Sequence, residues 1–135
     1  MLPMQEEEAT MLGNIDAMAT IAVKDLKVAR KFYEEKLGLQ PVRSVEQSVI
    51  GYKSGSSTVL VYESTFAGTN KATAMTWAVG DKLESIVSAL KAKGVAFEHY
   101  DFPGTTRQGE IHVAGKTRVA WFKDPDSNIL SLVSG

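Results

Sequence analysis

The first regular stretch of the chain is a predicted β-strand over residues 18–23, in which Ala19, Ile21 and Val23 alternate with Met18, Thr20 and Ala22 at the period of a half-buried strand. Asp25 follows at a position typical of a helix N-cap, where a short carboxylate accepts hydrogen bonds from the first free amides. Apolar side chains then recur at helical spacing as far as Leu37, and Gly38 supplies the left-handed backbone that ends many helices. The pattern therefore predicts one strand followed by one helix.

The same succession of elements returns later in the chain. Asp81 and Gly94 follow Asp25 and Gly38 at one constant offset of 56 residues. Asp81 is therefore the predicted cap of a second helix, and Glu84, three residues on, completes a capping-box pattern. A constant offset across several elements indicates two copies of one supersecondary unit.

Further alternating stretches predict three strands after each helix. They cover residues 39–45, 47–53 and 58–63 in the first half, and 95–100, 117–123 and 129–133 in the second. The second half is longer by about fourteen residues, which fall in the segment 101–116. Long inserted loops are often functional, so this segment is a candidate lid. Each half is thus predicted as a β-α-β-β-β unit.

Composition narrows the functional classes. The sequence has 135 residues, a net charge of −1 and no cysteine, which argues against a nucleic-acid partner, a charged membrane surface, disulfides and thiolate metal sites. No apolar run approaches the ~18 residues of a membrane span. Residues 1–14 carry three consecutive glutamates where a secretory leader would be basic. We expect a cytoplasmic protein with an N-terminal tail at residues 1–14 and a single domain at residues 15–135.

Two motifs give the chain a family resemblance. D-L-x-x-A-x-x-F-Y-x-x-x-L-G-L at residues 25–39 and W-F-K-D-P-D-S-N-I-L at residues 121–130 resemble the vicinal oxygen chelate superfamily, which includes glyoxalase I, extradiol dioxygenases, fosfomycin-resistance enzymes and bleomycin-resistance proteins. The resemblance implies an α+β fold, the glyoxalase/bleomycin resistance fold. Its two βαβββ modules, residues 15–64 and 72–135, form a cupped mixed sheet with the ligand on the concave face. Ser127 stands where the family usually has glycine, so Ser127 or Asn128 must carry any positive φ in that turn.

The resemblance also assigns four positions to metal ligands in the metal-dependent members. Transferred residue by residue, these positions are Met18, Val61, Ala74 and Ser131. None of the first three offers the oxygen or imidazole nitrogen that a hard or borderline divalent ion needs, and Ser131 offers only a neutral oxygen. We therefore predict no metal, no cofactor and no catalytic residue at these positions.

Strand alternation suggests what lines the cleft. Small side chains occupy one face of the first strand of each half, which leaves room for a ligand. If the last turn pairs Lys123 with Asn128, Phe122 and Arg118 share this face, and Tyr52 is its second aromatic wall. Tyr52 and Phe122 could equally be ordinary core residues. The predicted ligand-binding residues are Met18, Thr20, Tyr52, Val61, Glu63, Ala74, Thr76, Arg118, Phe122 and Ser131.

Three functions follow, in order of preference. The first is a metal-free protein that binds a small aromatic or anionic molecule, with no nucleic-acid or membrane partner. The second is a lyase-like or dioxygenase-like enzyme, either metal-free or with a relocated metal at His99, His112 and a carboxylate. The third is an interaction module that uses the tail and exposed strand edges. A homodimer is expected in addition, because two small modules leave sheet edges for a second copy to cover.

Overall fold

A computed structural model describes residues 12–46 and 48–135, with the backbone alone at residues 43–46. The predicted tail at residues 1–14 lies outside them except for its last three residues, a 3₁₀ turn at Leu12–Asn14. The first module consists of β1 (Ala19–Val23), α1 (Leu26–Arg30, continued by a π-helical stretch at Lys31–Lys36), β2 (Gln40–Glu46), β3 (Val49–Ser54) and β4 (Ser57–Glu63).

The second module has more elements. It consists of β5 (Thr73–Ala78), a 3₁₀ turn (Gly80–Lys82), α2 (Leu83–Ala92), β6 (Phe97–Glu98), β7 (Thr106–Gln108), β8 (Ile111–Ala114), β9 (Thr117–Lys123) and β10 (Ile129–Ser134). The predicted strand at residues 95–100 is therefore reduced to two residues. The predicted loop at residues 101–116 contains the hairpin β7–β8, and whether this segment acts as a lid stays a prediction.

Both modules pair their strands by the same rule. The first sheet has the order β1-β4-β3-β2, with β1 and β4 parallel. The second has the order β5-β10-β9-β8-β7, with β5 and β10 parallel. β6 also pairs with β9, at a different part of that strand from β8. Two βαβββ modules, the second enlarged by a hairpin, therefore form cupped mixed sheets, which confirms the predicted α+β fold.

The start of α1 agrees with the sequence pattern. Asp25 has an extended backbone, and its Oδ1 accepts a hydrogen bond of 2.8 Å from the amide of Lys27. The helix widens into a π turn, in which the amide of Leu37 donates to the carbonyl of Phe32. Gly38 follows with a φ of +75°. The predicted cap and the predicted end of this helix are both confirmed.

The start of α2 does not agree. Asp81 lies inside the 3₁₀ turn, and the cap of α2 is Lys82, which makes no side-chain capping bond within the part of the chain described. The predicted Asp81 cap and its capping box with Glu84 are therefore wrong. The physical reason is that the second helical segment is one residue shorter than the first. The first buried leucine, Leu26, precedes Gly38 by twelve residues, whereas Leu83 precedes Gly94 by eleven.

One hydrophobic core lies between the helices and the sheet faces that they cover, which we call the helix faces. The predicted bulky sides of β1 and β5 contribute to it. The ring of Phe122 is fully buried and joins the modules, because it contacts Phe32 of α1 at 6.4 Å and Trp77 and Phe97 of the second module at 6.4 and 5.6 Å between centroids. The opposite sides of the two sheets, which we call the open faces, carry no helix among the described elements.

A buried carboxylate network fastens the β9–β10 turn to the first module. Asp124 accepts hydrogen bonds from the Tyr33 hydroxyl at 2.7 Å and from the side chain of Asn128 at 2.8 Å. The same amide group of Asn128 donates to the carbonyl of Ala22 in β1. Ser127 carries the positive φ of this turn, 66°, as one of the two residues predicted to do so.

Candidate functional site

The cleft predicted from strand alternation depended on the pairing of β9 with β10, and that pairing is wrong. The structure pairs Lys123 with Ile129 and Phe122 with Leu130. A slip of one residue moves every side chain to the other face of the sheet. Phe122 is therefore buried on the helix face, and Arg118 on the same side of β9 forms an ion pair with Glu84 of α2.

Three other predicted residues also belong to the helix face of the first sheet. Val61 is fully buried and pairs with Ile21, and Tyr52 is fully buried with its hydroxyl donating to Glu34 at 2.8 Å. Glu63 accepts a hydrogen bond of 3.0 Å from the amide of Leu26, so it caps the start of α1. These side chains hold the core and the helix, and their predicted role in ligand binding stays untested.

The remaining five predicted residues lie on or beside the open faces: Met18, Thr20, Ala74, Thr76 and Ser131. The hydroxyls of Thr76 and Ser131 are 2.7 Å apart and bond to each other across β5 and β10. Thr20, the counterpart of Thr76, pairs with Leu60. The first-module counterpart of Ser131 is therefore Leu60 rather than Val61, because an irregularity between Ile129 and Leu130 shifts the register of β10.

Four aromatic side chains gather on the open face of the second sheet, and we call them the aromatic site: Tyr100, Phe102, His112 and Trp121. Trp121 pairs with Ser131 and points away from the core that holds its neighbours in β9. Tyr100, Phe102 and His112 contact the Trp121 indole at centroid distances of 5.3, 5.6 and 4.8 Å. The site thus presents several ring faces and edges around one tryptophan.

A cavity of about 240 Å³ opens beside this cluster, lined by Lys71, Ala72, Thr73, Tyr100, Phe102, Trp121 and Ile129. The indole Nε1–H of Trp121 donates to the Thr73 hydroxyl at 3.2 Å, which leaves the hydroxyl hydrogen of Thr73 able to donate elsewhere. No described residue forms an ion pair with Lys71, and no carboxylate is among the described lining residues. The lining therefore combines aromatic walls with hydrogen-bond donors.

Tyr100 lines the cavity, and its hydroxyl is buried with no hydrogen-bond partner among the residues described. Burial and the nearby Glu98 carboxylate raise the pKa of Tyr100, so the hydroxyl keeps its proton at neutral pH. Buried polar groups are nearly always paired, and an orphan of this kind is often completed by a ligand or water.

His112 is the buried member of the aromatic site. Its ring is 3% exposed, and its Nε2 accepts a hydrogen bond of 3.0 Å from the amide of Tyr100. The neutral ring then carries its hydrogen on Nδ1, which has no partner in the described part of the chain. His112 therefore fixes the backbone that carries Tyr100.

Sequence reasoning missed Tyr100, Phe102 and Trp121. The signal for Trp121 was available, because pairing Lys123 with Ile129 would have placed it on the open face. For Tyr100 and Phe102 the signal was weaker: two aromatic residues directly before the Pro103–Gly104 turn, in a segment predicted as a loop.

The histidines proposed for a relocated metal are otherwise engaged. His99 bonds to Glu110 at 2.5 Å, and Glu110 also pairs with Lys91, while His112 uses Nε2 for a backbone amide. Within the described residues, no group of three or more metal-ligating side chains is placed to hold an ion. The positions that the resemblance assigns to ligands hold Met18, Val61, Ala74 and Ser131, and Leu60, the structural counterpart of Ser131, offers no ligand atom either. This donor set does not fit a divalent ion.

Comparison with known proteins decides the family. The sequence pattern of the Glyoxalase/Bleomycin resistance protein/Dioxygenase superfamily matches residues 15–132. The chain belongs to this superfamily. No curated protein sequence matches the chain.

Solved structures of the superfamily share the fold at low identity. A glyoxalase family protein from Enterococcus faecalis has a TM-score of 0.69 at 18% identity, over 91% of this chain and 99% of that one. The fosfomycin resistance protein FosX from Listeria monocytogenes has a TM-score of 0.67 at 17% identity, over 89% and 92%. A lactoylglutathione lyase from Agrobacterium tumefaciens has a TM-score of 0.65 at 17% identity, over 90% and 94%.

Along the residues that the structure covers, no helix is both long and apolar enough to cross a lipid bilayer.

Proposed function

We propose that this superfamily member binds a small planar aromatic molecule with one negative charge, such as an aromatic carboxylate, at the aromatic site and releases it unchanged. The observation that carries the proposal is the unpartnered hydroxyl of Tyr100, a residue that lines the 240 Å³ cavity. A planar ring fits among the rings of Phe102 and Trp121, and a carboxylate can accept from the hydroxyls of Tyr100 and Thr73. Lys71 supplies the compensating charge.

Binding is preferred to catalysis because of the donor set. The glyoxalase and FosX relatives share only the fold at these identities. In this chain the positions assigned to metal ligands cannot hold a divalent ion, and the aromatic site offers donors for an anion. The enzyme alternative would require the bound molecule to change chemically during incubation.

Tryptophan fluorescence gives a direct test, because the chain has two tryptophans, Trp77 and Trp121. In a Trp77→Phe variant, Trp121 is the sole reporter. We expect benzoate to change its fluorescence saturably and to be recovered unaltered by chromatography. Tyr100→Phe should weaken benzoate binding by about tenfold, because a hydrogen bond to a charged group contributes about 1.5–3 kcal/mol.

The charge requirement needs its own control. Lys71→Met should weaken binding of benzoate and leave binding of neutral benzamide unchanged, whereas Lys116→Met, at the exposed end of the β8–β9 hairpin, should change neither. A Trp121 signal that benzoate does not move, or equal affinity in Tyr100→Phe, would contradict the proposal.

We also propose that the chain forms a homodimer. β1 and β5 lie at the edges of their sheets, and Leu12, Ile15 and Met18, which precede β1 in the chain, are 81%, 56% and 44% exposed. Exposed apolar side chains next to an unpaired strand edge favour association with a second copy. Light scattering at micromolar concentration should give twice the mass of the chain, and a monomer would contradict this proposal.

A further inference from the structure

A second cavity lies on the opposite side of the sheets from the aromatic site. Its volume is about 290 Å³, and it opens between the C-terminal end of α1, the helix α2 and the helix face of the second sheet. Leu37 and Leu39 come from the first module, and Trp77, Ile86 and Phe122 from the second. None of its described lining residues also lines the cavity of the aromatic site.

The walls of this cavity are apolar and flat. The indole of Trp77 is half-buried and lies parallel to the ring of Phe122, with 10° between planes and 6.4 Å between centroids. No charged side chain is among the lining residues that the structure describes. An apolar cavity of about 150 Å³ is enough to bind benzene. This cavity therefore has room for a molecule of one or two rings.

One polar group faces into the apolar lining. The Ser54 hydroxyl, at the end of β3, accepts a hydrogen bond of 2.8 Å from Nε1 of Trp77. Because its oxygen is used as an acceptor of that bond, its hydrogen is free to donate, and no described residue accepts it. Among the lining residues described, the cavity thus offers a single free side-chain donor and no charge.

We propose that this cavity is a second binding site, specific for a neutral aromatic molecule with a single hydrogen-bond acceptor. The ring packs against Trp77, and the acceptor takes the hydrogen of Ser54. Since Trp77 and Ser54 belong to different modules, an occupant contacts both and holds them together. This site is independent of the aromatic site, and it takes a neutral ligand where the aromatic site takes an anion.

The two indole N–H resonances of the full-length protein report on the two sites separately in one ¹H–¹⁵N spectrum. A Trp121→Phe variant assigns them. We expect acetophenone, a neutral aromatic ketone, to move the Trp77 resonance saturably and to leave that of Trp121 in place. If acetophenone moves neither resonance, or only that of Trp121, the second site does not exist. Benzoate tests the aromatic site in the same spectrum, so failure of one proposal is distinguishable from failure of the other.

The role of the hydroxyl is tested with a second ligand that has no acceptor. Ethylbenzene has the shape of acetophenone, so Ser54→Ala should leave ethylbenzene binding unchanged and weaken acetophenone binding by about fivefold, the equivalent of one hydrogen bond of about 1 kcal/mol. An equal change for both ligands would overturn the assignment to Ser54.

Two variants sharpen the result. Ser54→Ala should weaken acetophenone binding, while Ser56→Ala, exposed on the same hairpin, should not change it. Ile86→Phe should fill the cavity and weaken both ligands by about tenfold or more. Unchanged affinities in Ser54→Ala and Ile86→Phe, with the spectrum of a folded protein, would overturn the proposal.

Discussion

The first module begins its helix with a side-chain cap at Asp25, whereas the second begins with a 3₁₀ turn in which Asp81 takes no capping role within the described chain. Their open faces differ as well. The first has small and aliphatic residues such as Thr20 and Leu60, and the second carries the aromatic cluster around Trp121. The comparison teaches that a duplicated topology can be kept while the chemistry concentrates in one copy.

The largest expected effect comes from the residue at which the modules meet. Phe122→Ala removes a fully buried ring that contacts aromatic residues of both modules, so it should destabilise the protein by about 3–5 kcal/mol. Chemical denaturation measures this. Phe102→Ala, on the half-exposed open face, should change the free energy of unfolding by under about 1 kcal/mol. Equal losses would mean that Phe122 does not join the modules.

The next effect separates a hydrogen bond between modules from one within a module. Tyr33→Phe removes one of the hydrogen bonds to the buried Asp124 carboxylate, which keeps those from Asn128, and should cost about 1–3 kcal/mol at neutral pH. Tyr52→Phe removes a bond to Glu34, which is partly exposed, and should cost about 1 kcal/mol or less. Chemical denaturation of both variants measures the two losses in the free energy of unfolding. A larger loss in Tyr52→Phe than in Tyr33→Phe would contradict this prediction.

The pH dependence of stability is a second test of the buried hydrogen-bond network around Asp124. Burial raises the pKa of Asp124 above its ordinary 3.8, and hydrogen bonds from Asn128 and Tyr33 oppose that rise. The contribution of Asp124 to the free energy of unfolding is therefore fully present below pH 3.8. It is lost as the pH rises through the higher pKa that Asp124 has in the folded protein. Tyr33→Phe raises that pKa further, so its cost should grow from low to neutral pH. A cost independent of pH would contradict this.

A smaller effect tests the two helix starts. Asp25→Ala removes the carboxylate that accepts from Lys27 and should destabilise the protein by about 1 kcal/mol. Asp81→Ala, at the equivalent sequence position, should have an effect close to zero because the caps of the 3₁₀ turn and of α2 make no side-chain bond in the described structure. Thermal unfolding of the pair is the measurement, and equal shifts would restore the predicted second cap.

The smallest effects are expected at the two equivalent hairpin turns. Ser127 adopts a φ of 66° without being glycine, while Gly55 has a φ of 59° in the first module. Ser127→Gly should stabilise by about 0.5 kcal/mol and Gly55→Ser should destabilise by about 0.5–1 kcal/mol, because left-handed backbone is costly for residues with a Cβ. Opposite signs in chemical denaturation would show that side-chain contacts outweigh the backbone.

Local patterns were sufficient to predict the repeated strand–helix unit, most strands and the Asp25 cap, because each of these depends on residues close together in the sequence. The positive φ at Ser127 or Asn128 was predicted from the family resemblance. The site depended on strand register, and there the assumed pairing of Lys123 with Asn128 reversed the faces of β9 and placed Phe122 in the cleft instead of Trp121. A five-residue turn closed by the bond between Asp124 and Asn128 is not visible in hydrophobic alternation.

The wrong prediction of a helix cap at Asp81, like the wrong strand pairing, arose from a local irregularity that residue spacing does not reveal. The offset between the aspartates is constant, but α1 accommodates one more residue by widening into its π turn. A helix of this kind keeps the same end at Gly38 while its buried stripe shifts relative to α2. Residue spacing alone therefore located both helices without revealing where the second one starts.

The Tyr33–Asp124 bond also bears on the order of folding. The bond spans 91 residues, whereas every strand pair among the described elements lies within one module. Closing so long a segment costs more chain entropy than closing the hairpins inside a module. We therefore expect the sheets of each module to form first and to dock afterwards, with burial of Asp124 marking the moment at which the two halves become one folded unit.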